Sequence, residues 1–315
     1  MTILVVGAGA TGGYFGLRLA QAGRDVTFLV RPRRAETLRA RGLRVVGLGR
    51  DERIEPKLVT APEIDHPYDV VLLSVKATAL GQALDDLAPA VGPGTRIVPF
   101  LNGMAHLDAL TRRFGAEAVL GGVALVATQL TADGDIAQLS PLQSIRIGAL
   151  DGGEPGKGKP DDRLAAVAAE LSDAGFDFSV SDDILGDMWG KWVMIATVGA
   201  LTCLMRAPVG DIVACPGGAE LGPAILAEAA SVAAAAGHRV PQQHLDAVAR
   251  QVTEPGSPLA SSMFRDLSEG AGTEVEQILG DLVERARRGG PAATPLLDLA
   301  TLHLRVYEHR RTHTG

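Results

Sequence analysis

The chain has 315 residues, 46% of them hydrophobic and 21% charged, with a formal net charge of −7 at pH 7. That length suits about two domains with sizeable cores, and the composition is that of a globular protein rather than a disordered or fibrous one. The acidic excess argues against a nucleic-acid partner, which needs a basic footprint. Two cysteines, Cys203 and Cys215, fit neither a metal spacing nor a disulfide framework, so reduced thiols are expected.

Ile3, Leu4, Val5 and Val6 form a short apolar, partly β-branched run that reads as a buried parallel strand. Gly7-Ala8-Gly9-Ala10-Thr11-Gly12 follows at once, and a helical pattern continues through Tyr14, Phe15, Leu17, Leu19 and Ala20. A strand, G-x-G-x-x-G and a helix in this order form the dinucleotide fingerprint. Gly7 would make the tight turn, Gly9 would let backbone approach a pyrophosphate, and Gly12 would let the helix lie close to the strand. The free N–H groups at the helix start, from Ala10 and Thr11, then face the phosphates.

After a break at Gly23-Arg24, Asp25 to Val30 reads as the second strand. An acid at the tip of that strand favours NAD, whereas an arginine accommodates the 2′-phosphate of NADP. Arg31, Arg33 and Arg34 stand there without an acid, so NADP is expected; the plainer alternative is a solvated basic helix start. Short strands are expected between Leu43 and Thr60, around Val45, Val46, Ile54 and Leu58. Asp69 to Val75 is a buried strand ending in Lys76-Ala77. Lys76 either faces a ligand at the carboxyl end of a parallel strand or opens the next helix as a surface lysine.

Gly94 to Leu101 gives a further strand, and Asn102-Gly103 after it is a turn signal. In this fold Asn102 would also point toward a nicotinamide. Val119 to Leu130 and Ser144 to Leu150 add strand material, joined through Asp133-Gly134-Asp135. Asp151 to Asp162, rich in Gly, Pro and charge, should be an exposed, mobile loop. A helix from Leu164 to Ala174 and a strand from Phe176 to Val180 follow. From Asp182 onward strand signals vanish, and helical periods run through 184–205, 219–236, 244–252, 259–269, 273–287 and 295–309. The expected fold is α/β: a Rossmann-type doubly wound sheet over residues 1–181, then an all-α substrate and catalytic domain over residues 182–315 with a frayed polar tail.

The longest apolar run, Trp192 to Met205, is short for a membrane span, and the first residues lack the features of a secretory signal. A cytoplasmic protein with no membrane partner is therefore expected. Lys191 sits among Met188, Trp189, Trp192, Val193, Met194 and Ile195. Partial desolvation there would lower its pKa toward neutrality, as a lysine general acid needs. Alternatively it snorkels and pairs with Asp187 one turn back. Thr273 and Glu276 satisfy a capping-box pattern, and Glu274 between them could simply complement the helix dipole. Hydroxyls at Ser261 and Ser262 could bind a substrate carboxylate or bond back to their own helix.

GAGATGG, Arg31 after the second strand, SVKA around Lys76, LNGM around Asn102, WGKW around Lys191, SSMFRDL and TEVE occur here as an ordered set. The chain resembles the ketopantoate reductases (2-dehydropantoate 2-reductases) along nearly its full length. The resemblance implies a Rossmann domain followed by a helical domain, and NADPH-dependent reduction of ketopantoate to pantoate, a step of pantothenate biosynthesis. It also implies Lys191 as general acid, Glu274 as the carboxylate that positions lysine and substrate, and Asn102 beside the nicotinamide and lysine. Ser262 would hold the substrate carboxylate, and Arg31 and Lys76 would contact the NADP phosphates and adenosine.

The family's asparagines one and two turns after the lysine are replaced here by Ile195 and Gly199, on the Lys191 face. Ile195 removes a polar partner for the hydroxyl end of the substrate and adds apolar bulk. Ala271 stands where a basic residue is usual, and Glu276 where an aspartate is usual. The leading expectation is reduction of ketopantoate in a cleft between domains. The runner-up substrate is a bulkier or more apolar 2-oxo acid, giving a D-2-hydroxy acid. A non-catalytic NADP sensor would keep the glycine loop and Arg31 but has no need of Lys191 with Glu274. The apolar helical half is compatible with a homodimer.

Overall fold

A computed structural model describes residues 1–150, 162–289 and 292–313, so the loop expected at Asp151–Asp162 lies, Asp162 apart, outside the described residues. The chain divides into two compact units, Met1–Leu101 with His106–Leu185, and Asn102–Ala105 with Gly186–Gly315.

The first unit runs β1 (Thr2–Val6), α1 (Ala10–Gln21), β2 (Asp25–Leu29), α2 (Pro32–Arg41), β3 (Leu43–Gly47), β4 (Arg50–Ile54) and β5 (Lys57–Val59). It continues through β6 (Val70–Leu73), α3 (Leu80–Leu87), β7 (Arg96–Pro99), α4 (Ala105–Phe114), β8 (Leu120–Leu130), β9 (Ile136–Ala149), α5 (Asp162–Leu171) and β10 (Asp177–Val180). Five strands form a sheet in the order β5-β2-β1-β6-β7, every pair parallel. Ile3, Leu4 and Val5 on β1 and all of β6 are buried, as expected of strands covered on both faces. The chain leaves β1 toward β5 and returns to the other side of β1 at β6. The carboxyl ends of β1 and β6, paired as Val6 with Leu73, therefore form the switch point where ligands bind in such sheets.

A second sheet, absent from the sequence reading, has the order β10-β9-β3-β4, with β8 paired to β9. β8 and β9 make a long antiparallel hairpin with a register shift between Val126 and Thr128. β9 starts at Ile136, well before the stretch expected from Ser144, because Ile136 and Gln138 point inward while polar residues and Pro141 mask the alternation. Ile136, Ile145 and Ile147 on β9 join Leu43, Val45, Tyr14 and Phe15 in one core.

The helical unit takes up α6 (Ile184–Met205) from Gly186 onward. It then runs α7 (Val209–Val213), α8 (Gly218–Ala235), α9 (Gln242–Val252), α10 (Ser262–Ser268), a π-helical turn (Glu276–Gly280), α11 (Asp281–Gly289) and α12 (Pro295–His313). α6 has the bounds its helical period predicts; its 22 residues could cross a bilayer by length and hydropathy, but 72% of its most apolar window is buried in the protein. Its apolarity is that of a core helix: Trp189 is 2% exposed and Trp192 1%. α10 begins at Ser262, later than the helical period suggests, because Ser261 caps it: the Ser261 hydroxyl accepts from the Phe264 amide at 2.9 Å. Cys203 is buried, Cys215 is exposed, and both are free thiols.

Candidate active site

The glycine loop lies at the switch point, between β1 and α1. Gly7 has φ +98°, and a Cβ there would stand 2.5 Å from the Ser74 carbonyl oxygen, so turn and strand contact both require glycine. A Cβ at Gly12 would lie 2.3 Å from the Gly7 oxygen, which is the close helix–strand approach anticipated for it. Gly9 differs: its added Cβ would meet nothing within 4 Å, so the loop is open on that side. No side chain caps α1 at Gly9, and among the described residues no side chain accepts from the first amides of the helix, at Ala10 and Thr11. An open backbone face beside uncapped N–H groups fits a pyrophosphate.

The three arginines after β2 do not act as a set. Arg34 donates to the carbonyls of Ala8, at 3.2 Å, and Gly134, at 3.0 Å, so it fastens α2 to the glycine loop. Burial lowers its pKa and Asp135 partly offsets this. Arg31, at the start of α2, and Arg33 are exposed, and the Arg31 guanidinium makes no hydrogen bond or ion pair among the described residues. Lys76 is exposed just beyond the end of β6, the strand beside β1.

In the helical unit, α6 carries Lys191, which is only partly exposed and whose charged end is the enclosed part. Burial lowers its pKa from 10.5 to about 8, against the opposing attraction of Glu274. The carboxylate acting on Lys191 is thus Glu274 rather than Asp187 one turn back. Asn102 donates through Nδ2 to Glu274 Oε2 at 3.2 Å, across 172 positions of sequence. Lysine, glutamate and asparagine therefore interact in series: an ammonium biased toward losing its proton, a carboxylate that holds it charged, and an amide that orients the carboxylate.

The capping box expected of Thr273 and Glu276 is not formed. The Thr273 amide and hydroxyl both donate to Glu308 Oε1, at 2.6 and 2.8 Å. Glu276 instead receives both Nε and Nη2 of Arg305, at 2.7 and 2.6 Å. Both partners come from α12, which offers stronger charged contacts than a local cap can. Glu274 is left just ahead of the helical residues that begin at Val275.

Of the serine pair, Ser261 is occupied by its cap and by a 3.0 Å contact with the Thr202 hydroxyl. Ser262 is exposed and its hydroxyl makes no hydrogen bond among the described residues, so that hydroxyl is available. Ile195 is partly exposed and Gly199 buried. A Cβ at Gly199 would come within 2.8 Å of the Met263 methyl, so Met263, itself 2% exposed, already fills that notch. Met263, Arg34 and the indole of Trp192, which donates to the Ile278 carbonyl at 2.8 Å, are contributors the motifs did not single out. Only the apolar W-G-K-W pattern hinted at the last.

The family description "Ketopantoate reductase PanE/ApbA" matches residues 3–152, and its C-terminal counterpart matches residues 183–308. An uncharacterized oxidoreductase, YkpB of Bacillus subtilis (strain 168), is 33% identical over 308 residues, spanning 98% of this chain and 99% of its own. A solved 2-dehydropantoate 2-reductase from Geobacter metallireducens GS-15 is 29% identical with a TM-score of 0.86, over 97% of this chain and 99% of that one. A D-mandelate dehydrogenase solved with NADH and anilino(oxo)acetate shares the fold, with a TM-score of 0.87 at 23% identity over 99% of this chain and 100% of its own. Matched over both its sheet-bearing and its helical parts, the chain belongs to the ketopantoate reductase PanE/ApbA family of oxidoreductases.

Proposed function

We propose that the protein reduces 2-dehydropantoate to pantoate with NADPH. The observation that carries this reading is the lysine with a pKa of about 8, held beside a carboxylate that an asparagine orients. A bound reduced nicotinamide supplies the hydride for the C2 carbonyl of the substrate. The Gly7–Gly12 loop and the amides of Ala10 and Thr11 hold the pyrophosphate, Lys76 contacts the nucleotide, and exposed Arg31 takes the 2′-phosphate. Ser262 donates its free hydroxyl to the substrate carboxylate. Lys191 donates a proton from Nζ to the carbonyl oxygen as negative charge develops there, and the resulting amine is reprotonated from solvent. Until that transfer the ammonium stabilises the same charge without reorganising. Glu274 keeps the lysine charged, and Asn102 keeps Glu274 in place.

A second reading, a more apolar 2-oxo acid as substrate, draws on Ile195 and on Met263 filling the Gly199 notch. A pocket without polar partners does not reward a substrate hydroxyl. The test is steady-state NADPH oxidation with ketopantoate, phenylpyruvate and benzoylformate at matched concentrations. A kcat/KM highest for ketopantoate supports the first reading, and the reverse order supports the second. Tight NADPH binding with no turnover on any of the three would sink both and favour a sensor.

A further inference from the structure

Trp192 follows Lys191 in α6, and its buried indole has no part in the chemistry proposed above. The indole Nε1 donates to the Ile278 carbonyl at 2.8 Å, and the Ile278 amide donates to the Glu274 carbonyl at 3.0 Å. Two hydrogen bonds therefore lead from the residue beside Lys191 to the backbone of its carboxylate partner. Ile278 lies within the π-helical turn Glu276–Gly280, where the Asp281 amide bonds the Glu276 carbonyl five positions back. Such single π turns within α-helices concentrate at functional sites.

The turn bearing Asn102 is seated on the same stretch. Gly103 has φ +76°, and a Cβ there would be 2.4 Å from the Gln277 carbonyl oxygen, so backbone meets backbone with no room for a side chain. The indole is also fixed from α11: the Arg285 guanidinium stacks over the Trp192 ring at 5.5 Å, and its Nε bonds Asp281 Oδ2 at 3.1 Å. The charged groups of the elements that form this frame include Lys191 and Asp187 on α6, Glu274 and Glu276 before and within the π turn, Asp281 and Arg285 on α11, and Arg305 of α12, which is paired with Glu276.

We propose that Trp192 is a positioning residue: its indole N–H, acting through Ile278, fixes Glu274 relative to Lys191 and Asn102, and so sets how strong an acid Lys191 is. This rests on the proposed role of Lys191, but it can be read without turnover. Loss of the tether lets Glu274 recede while the burial of Lys191 persists. The attraction that holds the proton weakens, and Lys191 titrates lower.

The experiment follows the titration of Lys191 through 13Cε-labelled lysine in the full-length protein, with Lys191→Arg to assign the signal. It compares the parent with Trp192→Phe and with a protein carrying β-(3-benzothienyl)alanine at position 192, which keeps the bicyclic shape and lacks the N–H. The expected result for both is a midpoint lower by about half a pH unit and a kcat lower by about tenfold, with KM for NADPH within about twofold. An unchanged or raised midpoint in the benzothienyl protein overturns the proposal, even if Trp192→Phe melts at a lower temperature. Failure of the functional reading is separate: there the parent reduces none of the 2-oxo acids, while the Lys191 titration still reports on Trp192.

Discussion

Replacing Lys191 by methionine should make the protein more stable and nearly inactive. A fall in pKa from 10.5 to about 8 means that folding disfavours the ammonium, with the attraction of Glu274 already counted. At about 1.4 kcal/mol per pH unit this costs about 3 kcal/mol at neutral pH, and partial exposure of the residue reduces it to about 1–3 kcal/mol. Lys191→Met removes that cost, which corresponds to a rise in Tm of about 2–6 °C for a chain of this size. The folded pKa lies below the unfolded one, so the unfolded chain binds more protons between pH 8 and 10.5. The penalty is therefore full below about pH 8 and fades as pH rises through that window. The packing of the methionine adds a part independent of pH, so the diagnostic is the gap between mutant and parent at pH 7 compared with pH 10. Scanning calorimetry should find most of the pH-dependent part gone at pH 10, while kcat at pH 7 falls about 10²-fold or more. A gap that is absent at pH 7, or unchanged at pH 10, would refute the argument that burial tunes this lysine.

The two loop glycines should separate folding from binding. Gly12→Ala collides with the Gly7 carbonyl and should lower Tm, whereas Gly9→Ala should melt like the parent yet bind NADPH at least about tenfold more weakly. Equal behaviour of the two by calorimetry and fluorescence titration would remove Gly9 from the cofactor face. Arg31→Ala should weaken NADPH far more than NADH, since the loss is specific to the 2′-phosphate; equal weakening in a binding titration would reassign Arg31. Glu274→Gln removes the charge that raises the Lys191 pKa, so the alkaline decline of kcat for reduction should move below pH 8. A pH–rate profile with an unmoved limb would break the Lys191–Glu274 coupling.

The parts of this molecule legible in the sequence are those whose cause is local. Gly7 and Gly12 are constrained by atoms within the fingerprint and at the end of β6, so the motif carried their geometry. The apolar run around Lys191 in its own helix gave the signal for its desolvation, which the lowered pKa matches. Thr273 and Glu276 show the opposite case: the local pattern was a capping box, but Glu308 and Arg305 of α12, distant in sequence, offered charged partners and won. Arg34 was grouped with Arg31 by adjacency, yet Gly134 at the tip of the β8–β9 hairpin takes its guanidinium. The second sheet escaped because β9 mixes serine, glutamine and proline into its alternation, and its inward residues declare themselves only against β3 and α1.

The Asn102–Ala105 segment belongs to the helical unit although the rest of its neighbourhood in sequence does not. Cutting the chain at Ser181, where the texture of the sequence changes, would yield a carboxyl-terminal fragment lacking the amide that bonds Glu274 and the glycine seated on Gln277. Grafting the helical half of this protein onto another relative's sheet-bearing half would therefore import a foreign Asn-Gly turn beside Glu274 and Gln277. A working chimera has to carry this tetrapeptide along, so the unit of exchange is discontinuous in sequence.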